Sequence, residues 1–141
     1  MNEFIQFAQE NLLLSSAWVT VAVLLGFAQV RHMASGPKAI SSQILTNLVN
    51  RENGVVIDIR PIADFNKGHI HGALNIPLSK VKDSIKELEK YKNTPIIMVC
   101  ANGISVAGAC SILKKQGMEK VYKLTGGMTS WVGDNLPVVK K

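Results

Sequence analysis

The sequence predicts an α/β domain with a central parallel sheet covered by helices on both faces, preceded by one N-terminal transmembrane helix. Three observations carry this prediction. Short apolar runs, Val55 to Ile57 ahead of Asp58 and Ile96 to Val99, show no polar alternation, as expected of strands buried on both faces. These runs alternate with helical patterns, which implies parallel strands joined by crossover helices. Residues 12 to 30 contain no charged side chain, and a membrane-crossing helix needs roughly 20 apolar residues.

The elements follow in order. Residues 1–11 carry Glu3 and Glu10 and no Lys or Arg, and read as a short extracytoplasmic N-terminus. Residues 12–30 form the transmembrane helix, whose apolar centre from Ala17 to Ala28 is interrupted only by Thr20 and Gly26. A secretory signal peptide is the main competitor. It needs a basic start and a small-residue cleavage site, and Phe27-Ala28-Gln29-Val30-Arg31 is a poor one. A buried core helix is the third option. Residues 31–38, containing Ser35-Gly36-Pro37, read as a linker with turn chemistry, and residues 39–141 as one domain.

Within that domain Ser41 to Gln43 can cap a helix through Ile44, Leu45, Leu48 and Val49. A strand over 55–58 follows, then a helical turn over 61–65 stopped by Gly68. A short strand over 74–76 is stopped by Pro77. Ser79 is placed to cap a helix through Ile85 and Leu88. A strand over 96–99 leads into a helix that ends at Gly117, in the position of a C-terminal cap glycine. Residues 121–124 are the last strand.

Charge orients the chain. All 16 Lys and Arg lie at or beyond Arg31, whereas two of the 10 acids precede the apolar segment. The positive-inside rule then puts the C-terminal domain in the cytoplasm. Lys80, Lys82, Lys86, Lys90 and Lys92 cluster, either as a solvated helix face or as charge facing anionic lipid. Nucleic acid is not an expected partner, because no basic stripe interleaved with aromatics is present.

Cys100 is the most informative residue. A thiol stands where a buried strand stops and a helix starts, the end of an open α/β sheet at which ligands bind. The next backbone N–H groups have no intrahelical partners. They can converge on the sulfur and, with the helix dipole, stabilise an anion there. Two readings stay open on this pattern: an activated nucleophile, or a buried strand-end cysteine.

The stretches around it narrow the choice. Val55-Val56-Ile57-Asp58-Ile59-Arg60, followed by Gly68-His69-Ile70-His71-Gly72-Ala73-Leu74-Asn75-Ile76-Pro77, resembles the N-terminal signature of the rhodanese-like (thiosulfate sulfurtransferase-like) family. Val121 to Leu124 followed by Gly126-Gly127-Met128 and Trp131 is similar to its closing motif. Cys100-Ala101-Asn102-Gly103-Ile104-Ser105 matches its six-residue active-site loop. The resemblance runs from about Ala39 to Pro137. It implies a rhodanese-like fold and a sulfurtransferase of the membrane-anchored bacterial type, held in the inner membrane, with Cys100 as the catalytic nucleophile. The loop residues Ala101, Asn102, Gly103, Ile104 and Ser105 would bind the substrate.

The resemblance further implies no cofactor, and as partners a sulfur donor and a thiol acceptor. Asp58 and Arg60 match the family's Asp-x-Arg and read as a structural pair. Ser105 serves either as a hydroxyl donor or as a helix cap. The loop holds no Arg or Lys, which many members use for an anionic donor, so weak activity with thiosulfate is expected. The related phosphatases and arsenate reductases resemble a loop one residue longer that ends in Arg. Here that position is Val106, and a phosphate dianion would lack its guanidinium clamp.

Cys110 lies among Ala107, Ala109 and Leu113 and reads as a packing residue. No metal is expected, because His69 and His71 lack the supporting ligand spacing of a zinc site. The alternative function is a membrane-tethered rhodanese-like interaction protein with little activity. Its helix would pack against a membrane protein, for which Ala22-x-x-x-Gly26 is a weak small-residue signal.

Overall fold

The computed structural model of the protein describes residues 1–34 and 36–141. The chain divides into two compact units, Met1–Gly36 and Pro37–Lys141. In the first, α1 (Asn2–Glu10) and α2 (Leu12–Ala34) are separated at Asn11, whose φ of −120° is not helical. Asn11 Nδ2 donates to the Phe7 carbonyl, and the Ser15 hydroxyl to that of Ala8, so side chains satisfy groups that the break leaves open. The window Leu12–Arg31 of α2 is long and apolar enough to cross a membrane, and none of it is buried. The helix continues past the expected end at residue 30. The linker expected over 31–38 thus starts as helix and ends in a strand, and its Ser35 lies outside the described residues.

The second unit contains five strands: β1 (Lys38–Ile40), β2 (Val55–Asp58), β3 (Leu74–Asn75), β4 (Ile96–Val99) and β5 (Val121–Leu124). All pair in parallel, in the order β1-β5-β4-β2-β3. β4 is central, pairing Ile96 with Val55 on one side and with Val121 on the other. Its four residues are fully buried, which explains a run with no polar alternation. β1 escaped the sequence reading because three residues, two of them exposed, carry almost no periodic signal.

Alternate residues of each strand feed two cores. Ile57, Ile96, Met98 and Val121 face Val81, Leu88, Val106, Ala109 and Leu113. Those partners come from α5 (Ile85–Leu88), α6 (Val106–Lys115) and the segment before α5. Val56, Ile97, Val99 and Leu124 face Leu45, Met128 and Trp131, from α3 (Ser42–Glu52) and α7 (Gly127–Gly133). The sheet is therefore covered on both faces, as the sequence predicts. Each fully buried Ile, Leu or Met contributes about 1.5–3 kcal/mol of transfer free energy.

Local chemistry explains most boundaries. Ser41 Oγ accepts the Ile44 N–H at 3.4 Å, the expected cap of α3. α4 (Ile62–Lys67) follows Pro61 and stops at Gly68. The helix expected from Ser79 does not form. Residues 78–80 make a 3-10 turn, 81–84 continue as turns, and only Ile85–Leu88 is α-helical, with no side-chain cap at Ser84. Val81 and Leu88 are the buried anchors there. Two anchors hold an irregular segment as well as a helix does, and Asp83 and Ser84 are weak helix formers.

Candidate active site

β4 ends at Val99, and Cys100 follows at the carboxyl end of the sheet's central strand. It is 4% exposed. The chain then bends through residues 101–104 and enters α6 at Val106. The Gly103 N–H donates to Cys100 Sγ at 2.9 Å. Asn102 Oδ1 accepts the Ile104 N–H at 3.2 Å and lies 3.8 Å from the thiol. So Gly103 serves the sulfur, while the Ile104 amide is held by a side chain of the loop itself. Ser105 makes no side-chain cap bond to α6 and lines the cavity beside Cys100.

The start of α7 braces this loop from behind. The Met128 N–H donates to the Cys100 carbonyl at 2.8 Å. Thr129 donates twice to the Ala101 carbonyl, from its N–H at 2.9 Å and its hydroxyl at 2.8 Å. These bonds require close backbone approach. A Cβ on Gly127 would stand 2.3 Å from the Cys100 carbonyl oxygen and 2.8 Å from the Gly103 nitrogen, and the φ of Gly127 is +57°. Gly103, at φ +83°, is pressed in the same way against the Gly126 nitrogen. The glycine pair of the closing motif thus holds the cysteine loop in shape.

Arg60 Nη2 lies 2.7 Å from Asp58 Oδ2 and also donates to the Gly68 carbonyl at 2.7 Å. Both side chains are largely buried, at 12% and 1% exposure. Removing one partner of such a pair costs about 3–5 kcal/mol, because the other charge is left buried. Asn75 Nδ2 bridges the carbonyls of Asp58 and Arg60. The ring of His69 stacks on Phe65 with centroids 3.7 Å apart, and its Nδ1 lies 2.8 Å from the Phe65 carbonyl. The Asp-x-Arg and Gly-His-Ile motifs are therefore tied together through Arg60, which with Ile59 lines the cavity.

That cavity has a volume of about 590 Å³. Cys100, Ala101 and Ser105 form its floor, with Ile59, Pro61, Ile62, Pro77 and Leu78 as apolar walls. Arg60, Asp64, Ser79 and Lys80 supply the polar lining. Of the sequence-predicted loop residues, Asn102 and Gly103 act on the sulfur from within the loop. Ile104 is 76% exposed and outside the cavity lining. The 78–80 wall was not foreseen, because it lies beyond the signature that ends at Pro77.

Cys110 is fully buried in α6 and does not line the cavity. Burial pushes its thiol up to about 12, against a smaller lowering by Lys114 and Lys123. It stays a neutral packing group at neutral pH.

A thiol at the end of the central parallel strand, cradled by a glycine-containing loop at a helix start, defines a cysteine-loop α/β protein with a candidate nucleophile at Cys100. The family model of the rhodanese-like domain matches residues 41–134, and the chain belongs to that family. It is 36% identical over 141 residues to YibN of Escherichia coli (strain K12), with 99% of each chain covered. It is 37% identical over 94 residues to the thiosulfate sulfurtransferase GlpE of Pseudoalteromonas translucida, covering 67% of this chain and 88% of that protein. Among solved structures, a rhodanese-related protein from Thermoplasma volcanium superposes with a TM-score of 0.66 at 27% identity, covering 74% of this chain and 99% of the other.

Proposed function

We propose that this protein is a membrane-anchored sulfurtransferase that carries sulfane sulfur as a persulfide on Cys100. The observation that carries the reading is the thiol at the end of β4, with the Gly103 N–H on its sulfur and an open cavity in front of it. The thiosulfate sulfurtransferase among the relatives supports the same class of chemistry.

The Cys100 thiolate attacks the outer sulfur of a donor, thiosulfate or another persulfide. A new S–S bond forms, and the donor's own S–S bond breaks, its electron pair leaving with sulfite or with the donor's thiolate. The terminal sulfur of the enzyme persulfide carries the negative charge. The loop N–H groups offset that charge as it develops. An acceptor thiolate then attacks the terminal sulfur, takes it away as a new persulfide and regenerates the Cys100 thiolate, a ping-pong sequence. Mass spectrometry of the protein incubated with thiosulfate or glutathione persulfide tests this: one additional sulfur on the Cys100 peptide is expected. If none appears with either donor, the tethered interaction reading takes its place.

The anchor is the helix over Leu12–Arg31, with the C-terminal domain in the cytoplasm. Acids precede the apolar segment and basic residues follow it. A reporter active only in the periplasm, fused after Lys141, should be silent, and the same reporter fused before Met1 should be active. The reverse pattern would invert the orientation.

A further inference from the structure

We propose that Lys80 is the anion-recognition residue of the Cys100 site, holding the negatively charged end of the sulfur donor in place of the cation that the loop lacks; this rests on the sulfurtransferase reading. The lining of the cavity in front of Cys100 is largely apolar, and its charged and polar side chains outside the cysteine loop are Arg60, Asp64, Ser79 and Lys80. The two cations there differ in kind. Arg60 is tied to Asp58: its Nε and Nη2 donate to the Asp58 carboxylate and Nη2 also to the Gly68 carbonyl, so its charge is offset by a buried acid. Lys80 is exposed and has no ion pair among the described residues. The acids nearby do not neutralise it. Asp64 is paired with Lys67 at 3.6 Å. Glu87 shares an adjoining pocket with Lys80 but forms no ion pair with it.

Hydrogen bonds hold the backbone of Lys80 in a fixed turn beside the cavity. The Leu78 N–H donates to the Ile59 carbonyl at 3.1 Å, which ties the turn to the strand end beside the cavity. The Lys80 N–H donates to the Pro77 carbonyl at 2.7 Å, and the Lys80 carbonyl accepts from Asp83 and Ser84. Val81, next in the chain, is fully buried and pins the segment. A flexible ammonium on a fixed turn suits a donor with an anionic end, such as a sulfonate or a carboxylate, held between the apolar walls with its sulfur toward the thiol. It attracts any such anion without requiring the bidentate geometry that Arg would impose.

The test compares anionic and neutral reagents at Cys100. Full-length protein in detergent is alkylated with iodoacetate or iodoacetamide, and the Cys100 peptide is followed by mass spectrometry. A variant that merely changes the thiolate fraction moves both rates together, so the rate ratio reads the cation. Lys80→Gln should lower the iodoacetate-to-iodoacetamide ratio about three- to tenfold, as expected for one partly screened charge across a small cavity. Lys80→Arg should retain the ratio. Lys82→Gln removes an equal charge outside the cavity lining and should leave it unchanged. In turnover with thiosulfate, Lys80→Gln should raise KM rather than lower kcat. An unchanged ratio in Lys80→Gln, or an equal drop in Lys82→Gln, overturns the proposal. A shifted ratio in a protein that transfers no sulfur leaves the anion site standing and overturns the sulfurtransferase reading instead.

Discussion

Cys100→Ser should abolish sulfur transfer while leaving the fold intact. The substitution keeps the shape of the side chain at a position that is 4% exposed. It removes the only atom able to form the persulfide at this site. A serine hydroxyl stays protonated at neutral pH, and its oxygen forms no stable bond to sulfane sulfur. The expected result is no detectable thiocyanate from cyanide and donor, and a melting temperature close to that of the wild type. Cys110→Ser is the paired control. It places a hydroxyl in a fully buried part of α6, at a cost of about 1–3 kcal/mol if the group finds no partner. It should reduce stability and retain turnover. Undiminished turnover in Cys100→Ser would remove the enzymatic reading.

Gly127→Ala should cost as much in activity as any change that spares the thiol. At φ +57° an L side chain is strained, and the new methyl carbon would meet the Cys100 carbonyl oxygen at 2.3 Å and the Ala101 carbonyl carbon at 2.9 Å. Backbone strain and overpacking each cost about 1–3 kcal/mol. Both neighbours are backbone atoms of the cysteine loop and cannot rotate away. Relief comes only by pushing the loop off α7, which breaks the bonds from Met128 and Thr129. The Gly103 N–H then leaves the sulfur. We expect a fall in kcat/KM of at least about tenfold, since loss of one donor at developing charge alone costs 10²–10³ in a well-formed site. Gly108→Ala is the comparison. A Cβ there meets nothing within 4 Å in the first turn of α6, so it should be neutral or stabilising by up to about 0.5–1 kcal/mol. Urea denaturation and turnover of both variants separate the cases. Wild-type turnover in Gly127→Ala would show that α7 does not position the loop.

Much of this architecture could be read directly from the residues. β2 and β4 were legible because a strand buried on both faces must be apolar throughout, and Val55 to Ile57 and Ile96 to Val99 are. Their pairing in parallel followed from the helical patterns between them. The Ser41 cap of α3 was legible because the signal is a single side chain acting on its own next turn. The position of Cys100 at a strand-to-helix boundary needed only two local patterns meeting. The segment over residues 78–88 was misread as one helix, because its two buried anchors, Val81 and Leu88, do not require regular hydrogen bonding between them.

What escaped the sequence depends on contacts distant along the chain. A single Gly-Gly-Met gives no sign that Met128 and Thr129 donate to carbonyls 28 residues earlier at Cys100 and Ala101. Lys80 is one of five lysines in a charged stretch, and no periodicity marks it as the one on the cavity wall. The sequence by itself determined the parallel α/β class, the long apolar helix, the strand-end thiol and the absence of a cation in its loop. Each is a property of residue type over a few consecutive positions, where steric, hydrophobic and capping preferences act locally. Only the tertiary structure decided that the Gly103 N–H reaches the sulfur, that Arg60 pairs with Asp58 and that Lys80 lines the cavity. Those outcomes depend on how sheet order brings β2, β4 and the start of α7 side by side, and that order is set by burial of two whole sheet faces rather than by any segment alone.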